Sequence, residues 1–552
     1  MLWLTLALAS EGPLAEASVS GTFDTDFRYY RNLGSIDGFE DDYPWLLDYQ
    51  ESVTRTNLLA DGETWQIGLQ MDTVALFGAR YFLDDELVYE WDLHDEGVDF
   101  PFPQSYATIE KVWGTARFER TEVQFGDQYT SFGRGIALNV VRNADIDIDT
   151  SIRGVKSVST LGDYDITLFT GVANAQQVQQ DNPNRLLKAD QHHAITGVQF
   201  QRWGLGPANL GFHAVKYRFA REPDFGRTPF HAYGQDFDAQ VAGATAELWG
   251  VAGVDWFFEA DLFDHRADEL GTEPGHALYG SAAFYPGRLA ILVEGRKNYN
   301  TELVNLFSVS DGYELVSGPT LEYERAITED SSSAVNSNDI IGGRVRADLA
   351  FKPGQLAYAS LMGARDRDLG SGHFNASPET VLHPMLGVDL QGAHAHALIN
   401  AGYRIDVRDD AAEGADRMVH FDASTGFPVG PVHAAFVWDF YNFWWGNNTP
   451  QQDDFLNSTI SFAINHHKWT AILYNDFTND PLIDTAGNVG TVDLGEGSYD
   501  LYGAAELQYQ PKPTTTVKVF YGAYKAGIRC AGGQCRRLPG FDGGRVTLTH
   551  QF

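Results

Sequence analysis

Almost every regular segment of this chain alternates apolar and polar residues with a period of two. In TWQIGLQMD, Trp65, Ile67, Leu69 and Met71 alternate with Gln66, Gly68, Gln70 and Asp72. In VDWFFEADL, Val254, Trp256, Phe258, Ala260 and Leu262 alternate with Asp255, Phe257, Glu259 and Asp261. The same pattern runs through VHAAFVWDF from Val432, TVKVFYGA from Thr516 and SVSGTFDTDFRYY from Ser18. Successive strand residues point to opposite faces, so each segment has one apolar and one polar face.

Alternation alone does not separate a soluble sandwich from a membrane barrel. The connections do. Short turns such as ADGE at Ala60, LGDY at Leu161, YPGR at Tyr285, KPGQ at Lys352 and NHHK at Asn465 recur along the chain. Between them lie long polar connections, among them Asn32–Asp48, Leu76–Gln104, Val172–Gln191, Asn300–Asp339 and Asp476–Gly497. A bilayer leaves no backbone group unpaired, so a sheet crosses it only when closed, and outer-membrane barrels have short turns at one end and long loops at the other. The expected fold is an all-β, transmembrane, antiparallel up-and-down β-barrel of about 24 strands (22–26) with short periplasmic turns and long extracellular loops. The stretch Val304–Glu324 is the least certain part of the strand count. Strand-like alternation begins by Val19, which predicts no plug domain.

Composition narrows the class. With 39 basic against 75 acidic residues the formal net charge is −36, which argues against a nucleic-acid partner. The acids are scattered among turns, as on a solvated surface, with cation binding or cation-selective passage as the functional alternative. Aromatics at 13% and 56 glycines fit strands and turns. The two cysteines, Cys530 and Cys535 in CAGGQC, have the spacing of a small disulfide loop, expected to contribute about 2 kcal/mol. A metal or redox pair lacks the C-x-x-C spacing and a second cluster.

The opening MLWLTLALAS and the small-residue site AEA at Ala15 predict a secretory leader over residues 1–17, although no Lys or Arg precedes its apolar core. Residues 18–552 are then one barrel. No later segment holds 18 consecutive apolar residues, so transmembrane helices are not expected.

The closing RVTLTHQF resembles the C-terminal signature of bacterial outer-membrane β-barrel proteins, with Val546, Leu548 and terminal Phe552 matching and His550 departing from it. The resemblance implies recognition by the barrel-assembly machinery and placement in a Gram-negative outer membrane, and an even strand count from Val19 to RVTLTHQF puts both termini on the short-turn, periplasmic side. VQFGDQYTSFGRGIALNV, Val123 to Val140, is similar to segments of large plugless barrels, including a porin- or exporter-like family of unknown function and, more loosely, polysaccharide-export porins.

The most unusual connection runs from Gly126 to Arg153. It has three glycines in ten residues, Gly126, Gly133 and Gly135, and then NADIDIDTSIRG. Asp127, Arg134, Asp145, Asp147, Asp149 and Arg153 are the candidate lumen or constriction residues, with Arg134 and Arg153 expected to face the aspartates across the pore. The alternatives are an ordinary lumen-facing strand and turn, or a cation site that lacks the Gly and Glu of an EF-hand loop. His394 and His396 share a face, while His466 and His467 sit at a tight turn and are expected to point apart; no histidine pair has metal-site spacing, and no metal or cofactor is expected. The aromatic run FYNFWW, Phe440 to Trp445, reads as an interfacial girdle. No G-x-S-x-G occurs, and catalysis is not expected.

The leading expectation is a monomeric barrel, in contact with outer-membrane lipid and lipopolysaccharide, forming a polar channel or exporter for a hydrophilic solute with weak cation preference. A structural, adhesive or scaffold role through the long loops is the runner-up, and a secreted soluble all-β enzyme or binding protein the third possibility.

Overall fold

A computed structural model describes residues 17–30, 45–46, 49–77, 80–83, 86–89, 105–143, 148–174, 193–219, 237–267, 274–301, 321, 340–366, 379–408, 415–444, 454–480, 490–494, 497–525, 527–531, 534–538 and 540–552. Residues 1–16 of the expected leader, the stretch Val304–Glu324 apart from Leu321, and Asp145 and Asp147 lie outside them. Among the described residues, 24 antiparallel strands form one barrel, from Ser18–Tyr30 to Phe541–Gln551. Each pairs with the next in sequence. The ring closes where the first strand meets the last, with Thr22 opposite Gln551, Phe27 opposite Val546 and Tyr30 opposite Gly543.

The two faces differ as the alternation predicts. One carries exposed large apolar side chains all round the barrel, among them Ile67, Phe212, Leu262, Leu386 and Leu473, the last three more than 60% exposed. The other carries buried polar and charged residues such as Arg28, Glu51, Arg55, Asp72 and Asp261. The concave face of a closed sheet is the crowded one, so the charged residues line the lumen and the apolar band faces out. Soluble proteins rarely expose apolar surface on this scale. It is a membrane-spanning surface, and the closed register satisfies the backbone within it. No helix among the described residues is long and apolar enough to cross a membrane.

The short turns all lie at one end, where the strands Tyr164–Asn174, Ala208–Phe219 and Val254–Ala267 begin. Exposed aromatics ring that end: Phe118, Trp203, Trp249, Tyr285, Phe351, Phe427, Trp469 and Phe552. Amphipathic rings at this height mark a membrane–water interface. Phe552 belongs to this girdle; its backbone exchanges two 3.0 Å hydrogen bonds with Gly21. His550, out of place in the apolar pattern, is half-buried and lies 3.0 Å from the Thr515 hydroxyl opposite it.

Two local expectations are corrected. Tyr441 and Phe443 of the FYNFWW run are buried with Met418 and Phe455 on the lumen side, Phe443 stacking on Phe455 at 5.1 Å. Alternation sends every second residue inward, so a run of aromatics cannot all join a girdle. His467 takes a left-handed φ of 53° in its turn, which brings its ring to 4.3 Å from that of His466 rather than pointing the two apart.

Candidate functional site

The connection after the strand Thr121–Gln128 folds back against the interior wall. Its base is set by two irregularities. Between Gln70 and Met71 the register with the strand Tyr106–Arg117 slips by one residue, skipping Glu110. The bulge turns Glu110 and Lys111 both inward, between the exposed Ile109 and Val112. Gly126 has φ +81°, and a Cβ there would lie 2.0 Å from the Val112 carbonyl oxygen, so only glycine permits the kink that buries Asp127 and Gln128 side by side.

Asp127 then accepts from the Val112 N–H at 2.8 Å, Ser151 Oγ at 2.9 Å, Asn174 Nδ2 at 2.8 Å and Arg153 Nη2 at 3.1 Å. A second knot ties the far end of the segment. Asp149 holds the Lys111 ammonium and the Tyr129 hydroxyl, and Lys111 also donates to Tyr129 Oη at 2.7 Å and to the Asp149 carbonyl at 2.8 Å. Burial pushes the Asp149 carboxyl up, but the Lys111 charge and hydrogen bonds outweigh it and hold it below the usual carboxylate range. Burial, and then the Asp149 charge, push the Tyr129 phenol up, so it stays a donor. Lys156 Nζ donates to the Tyr129 carbonyl at 2.8 Å. Both ends of the segment are thereby fastened by charge to the strands Tyr106–Arg117 and Ser151–Leu161.

Its middle is fastened by apolar contact. Thr130–Phe132 and Leu138–Val140 pair as a small hairpin, with Phe132 opposite Leu138. Phe132, Ile136, Ala137, Leu138 and Val140 are buried in one cluster with inward residues of seven successive strands, including Ile152, Phe169, Ile195, Val215, Ala239, Phe263 and Ala277. Each fully buried Leu, Ile or Phe contributes about 1.5–3 kcal/mol to this seat. Tyr217 Oη donates to the Ala137 carbonyl at 2.5 Å, which satisfies a backbone acceptor inside the cluster. At the tip, the Arg134 N–H donates to Glu259 Oε2 at 2.7 Å and its guanidinium lies 4.4 Å over the Phe257 ring. Gly133, with φ +58°, touches the same carboxylate, and a Cβ there would sit 1.9 Å from Glu259 Oε1.

The six candidates therefore divide. Asp127 and Arg153 form one pair, Asp149 belongs to a second knot with Lys111, Arg134 sits on Phe257 and Glu259, and Asp145 and Asp147 lie outside the described residues. Lys111 and Tyr129 were not legible as site residues, because the bulge that turns Lys111 inward breaks the alternation without any Gly or Pro to announce it. Cys530 and Cys535 stand opposite each other in the register of the hairpin Gly527–Ala531 and Gln534–Leu538; their side chains lie outside what is described.

No known family and no curated protein sequence matches this chain. Among solved structures it is similar to the outer membrane protein opdK from Pseudomonas aeruginosa, at 14% identity and a TM-score of 0.38 over 78% of this chain and 100% of that one. It is also similar to the copper transporter OprC, at 10% identity and a TM-score of 0.44 over 97% and 81% of the two chains. The P pilus usher PapC translocation pore aligns at 7% identity and a TM-score of 0.41 over 97% and 99%. Likenesses this distant transfer no substrate. The architecture rests on this chain's own register and outer band, which are those of a transmembrane β-barrel.

Proposed function

We propose that the chain forms a channel for hydrophilic solutes across the outer membrane of a Gram-negative bacterium, with the segment Tyr129–Thr150 narrowing its lumen and the short turns and both termini on the periplasmic side. The observation that carries this reading is the seat of the segment: its apolar side is buried on the inner wall while Arg134 remains exposed at its tip. A connection built to bind partners outside the cell has no reason to bury five apolar side chains inside the barrel. Barrels of this strand number are wide, so an inward loop is what sets the bore.

Charge supports a weak cation preference. Many wall charges are internally paired, Arg55 with Asp72 at 2.8 Å and Arg344 with Glu294 at 2.5 Å, so they contribute little net field. The surplus acid of a chain at −36 is what remains to attract cations.

Planar-bilayer recording of the purified barrel tests the proposal. Expected are discrete conductance steps, a reversal potential of the sign for cation preference in a salt gradient, and a larger step when residues 132–140 are replaced by a short Gly-Ser linker. A sealed or anion-selective protein would overturn it.

A further inference from the structure

Beneath the tip of the inward segment, three buried side chains from two strands converge. His213 stands opposite Gly243, and Gly243 stands opposite Asp261, in one row across three neighbouring strands. Because the middle residue is glycine, the imidazole and the carboxylate meet over it, His213 Nε2 lying 2.6 Å from Asp261 Oδ1. A Cβ on Gly243 would fall 2.0 Å from that oxygen and 2.3 Å from that nitrogen. Glu259 lies two residues before Asp261 on the same inward face, capped by Gly133 and the Arg134 N–H. Glycines thus leave the space on two sides of the cluster.

The three residues are 5%, 2% and 1% exposed, and each brings one ligand atom within 4.8 Å of the others. Their hydrogen-bonding capacity is not used up. His213 Nδ1, Glu259 Oε1 and Asp261 Oδ2 are buried with no hydrogen-bond partner among the described residues. Two carboxylates enclosed with one imidazole, whose ring centre lies 6.0 Å from that of Phe132, need positive charge from somewhere. The Arg134 guanidinium does not supply it directly, since it lies over the Phe257 ring and only its backbone N–H reaches Glu259.

We propose that His213, Glu259 and Asp261 bind one divalent transition-metal ion. A dication cancels the two carboxylates and takes one ligand atom from each of the three residues, atoms that lie within 4.8 Å of one another. One imidazole nitrogen and two carboxylate oxygens suit Zn²⁺, Co²⁺ or Mn²⁺. Mg²⁺ keeps most of its waters and Ca²⁺ takes six to eight oxygens, which this dry, imidazole-bearing site does not offer. The bound ion pins Glu259, and through it the backbone of Gly133 and Arg134, so the metal also fixes the tip of the inward segment. The sequence carries no sign of the site because His213 and Asp261 are 48 residues apart on different strands.

The test is metal titration of the folded, detergent-solubilised barrel after chelator treatment, with Co²⁺ as an optical probe and Zn²⁺ as competitor. Expected are one Co²⁺ per chain with d–d absorption bands, displacement by Zn²⁺, and at least about 100-fold weaker binding in His213→Gln, Glu259→Gln and Asp261→Asn. Heat-modifiable gel mobility shows that each variant is folded. Failure of the wild-type barrel to take up stoichiometric metal would overturn the proposal, as would variants that bind it as the wild type does. A protonated-carboxyl infrared band that persists when Co²⁺ is added and is lost in Glu259→Gln would assign the cluster to a buried proton instead. Conductance is not part of the readout, so the site stands or falls apart from the channel.

Discussion

Two stretches of the inner wall obey the same alternation and are built differently. On the first three strands, Ser18–Tyr30, Tyr49–Asp61 and Trp65–Phe77, the lumen face is ionic. Arg28 pairs with Asp26 at 2.7 Å, Tyr30 Oη donates to Glu51 at 3.0 Å, and Arg55 grips Asp72 at 2.8 Å. From Ser151–Leu161 to Gly275–Phe284 the lumen face is largely apolar and packs against Phe132–Val140 of the inward segment. The first wall pairs its own charges, along one strand for Arg28 and Asp26 and between strands for Arg55 and Asp72. The second needs a piece of chain to cover it. The apolar run across seven successive strands is where this segment is seated.

The hardest way to break that contrast is to spoil the seat. Phe132 and Leu138 are fully buried, and truncating either to alanine costs about 2–5 kcal/mol. The double variant is expected to release the segment while the barrel, whose register does not involve it, stays closed. Limited proteolysis should then cut between residues 130 and 150 in protein that still shows folded gel mobility. An uncut segment would mean that the charged knots at its ends hold it alone.

On the ionic wall the expected response is the reverse. Arg55→Ala strands the buried Asp72 carboxylate and costs about 3–5 kcal/mol, whereas Arg55→Met with Asp72→Leu recovers most of it, because the desolvation cost of both charges disappears together. The temperature of the mobility shift should fall for the single variant and largely return for the pair, with the protease resistance of the segment unchanged in both. If the double variant is no better than the single one, the pair has a role beyond mutual neutralisation.

The difference between the walls also separates what could be read in advance from what could not. The period of two, the alternation of short turns with long loops, and the terminal Phe552 are local signals, and they carried the strand pattern and the closed barrel. The seat was half-legible: in FHAV, Val215 points inward while Phe212 and Ala214 point outward, so the strand is apolar on both sides at that point. The knots were not legible. Lys111 reaches Asp149 only because a bulge turns it inward, and Asp127 gathers donors from strands that become neighbours only when the sheet forms. His213 and Asp261 meet for the same non-local reason, across a glycine on the strand between them.

Acid should loosen the seat before it opens the barrel. Asp149 has its folded-state pKa depressed, so its ion pair stabilises the docked segment at pH values above the unfolded carboxylate pKa, near about 3.9. That contribution falls away as the pH drops through the still lower folded value. Cleavage of the segment, read with an acid protease at low pH and a serine protease near neutrality and each normalised to an unfolded control, is thus expected to rise below about pH 4. In Asp149→Asn cleavage should be high already at neutral pH and should lose most of that rise. A wild-type profile as flat as the variant's would show that the Lys111 knot does not hold the segment.

The smallest effect is expected outside both walls, in the hairpin that carries Cys530 opposite Cys535. Antiparallel partners in register have the Cα separation a disulfide needs, near about 5.5 Å. A bond between them would close a short loop, remove little chain entropy and contribute about 2 kcal/mol. Thiol labelling of unreduced, denatured protein should find no free thiol, and Cys530→Ser with Cys535→Ser should lower the mobility-shift temperature only slightly. Neither the seat nor the ion pairs depend on this hairpin, so protease resistance of the segment should be unaffected. Two labelled thiols in the unreduced protein would make the hairpin a product of its backbone register alone.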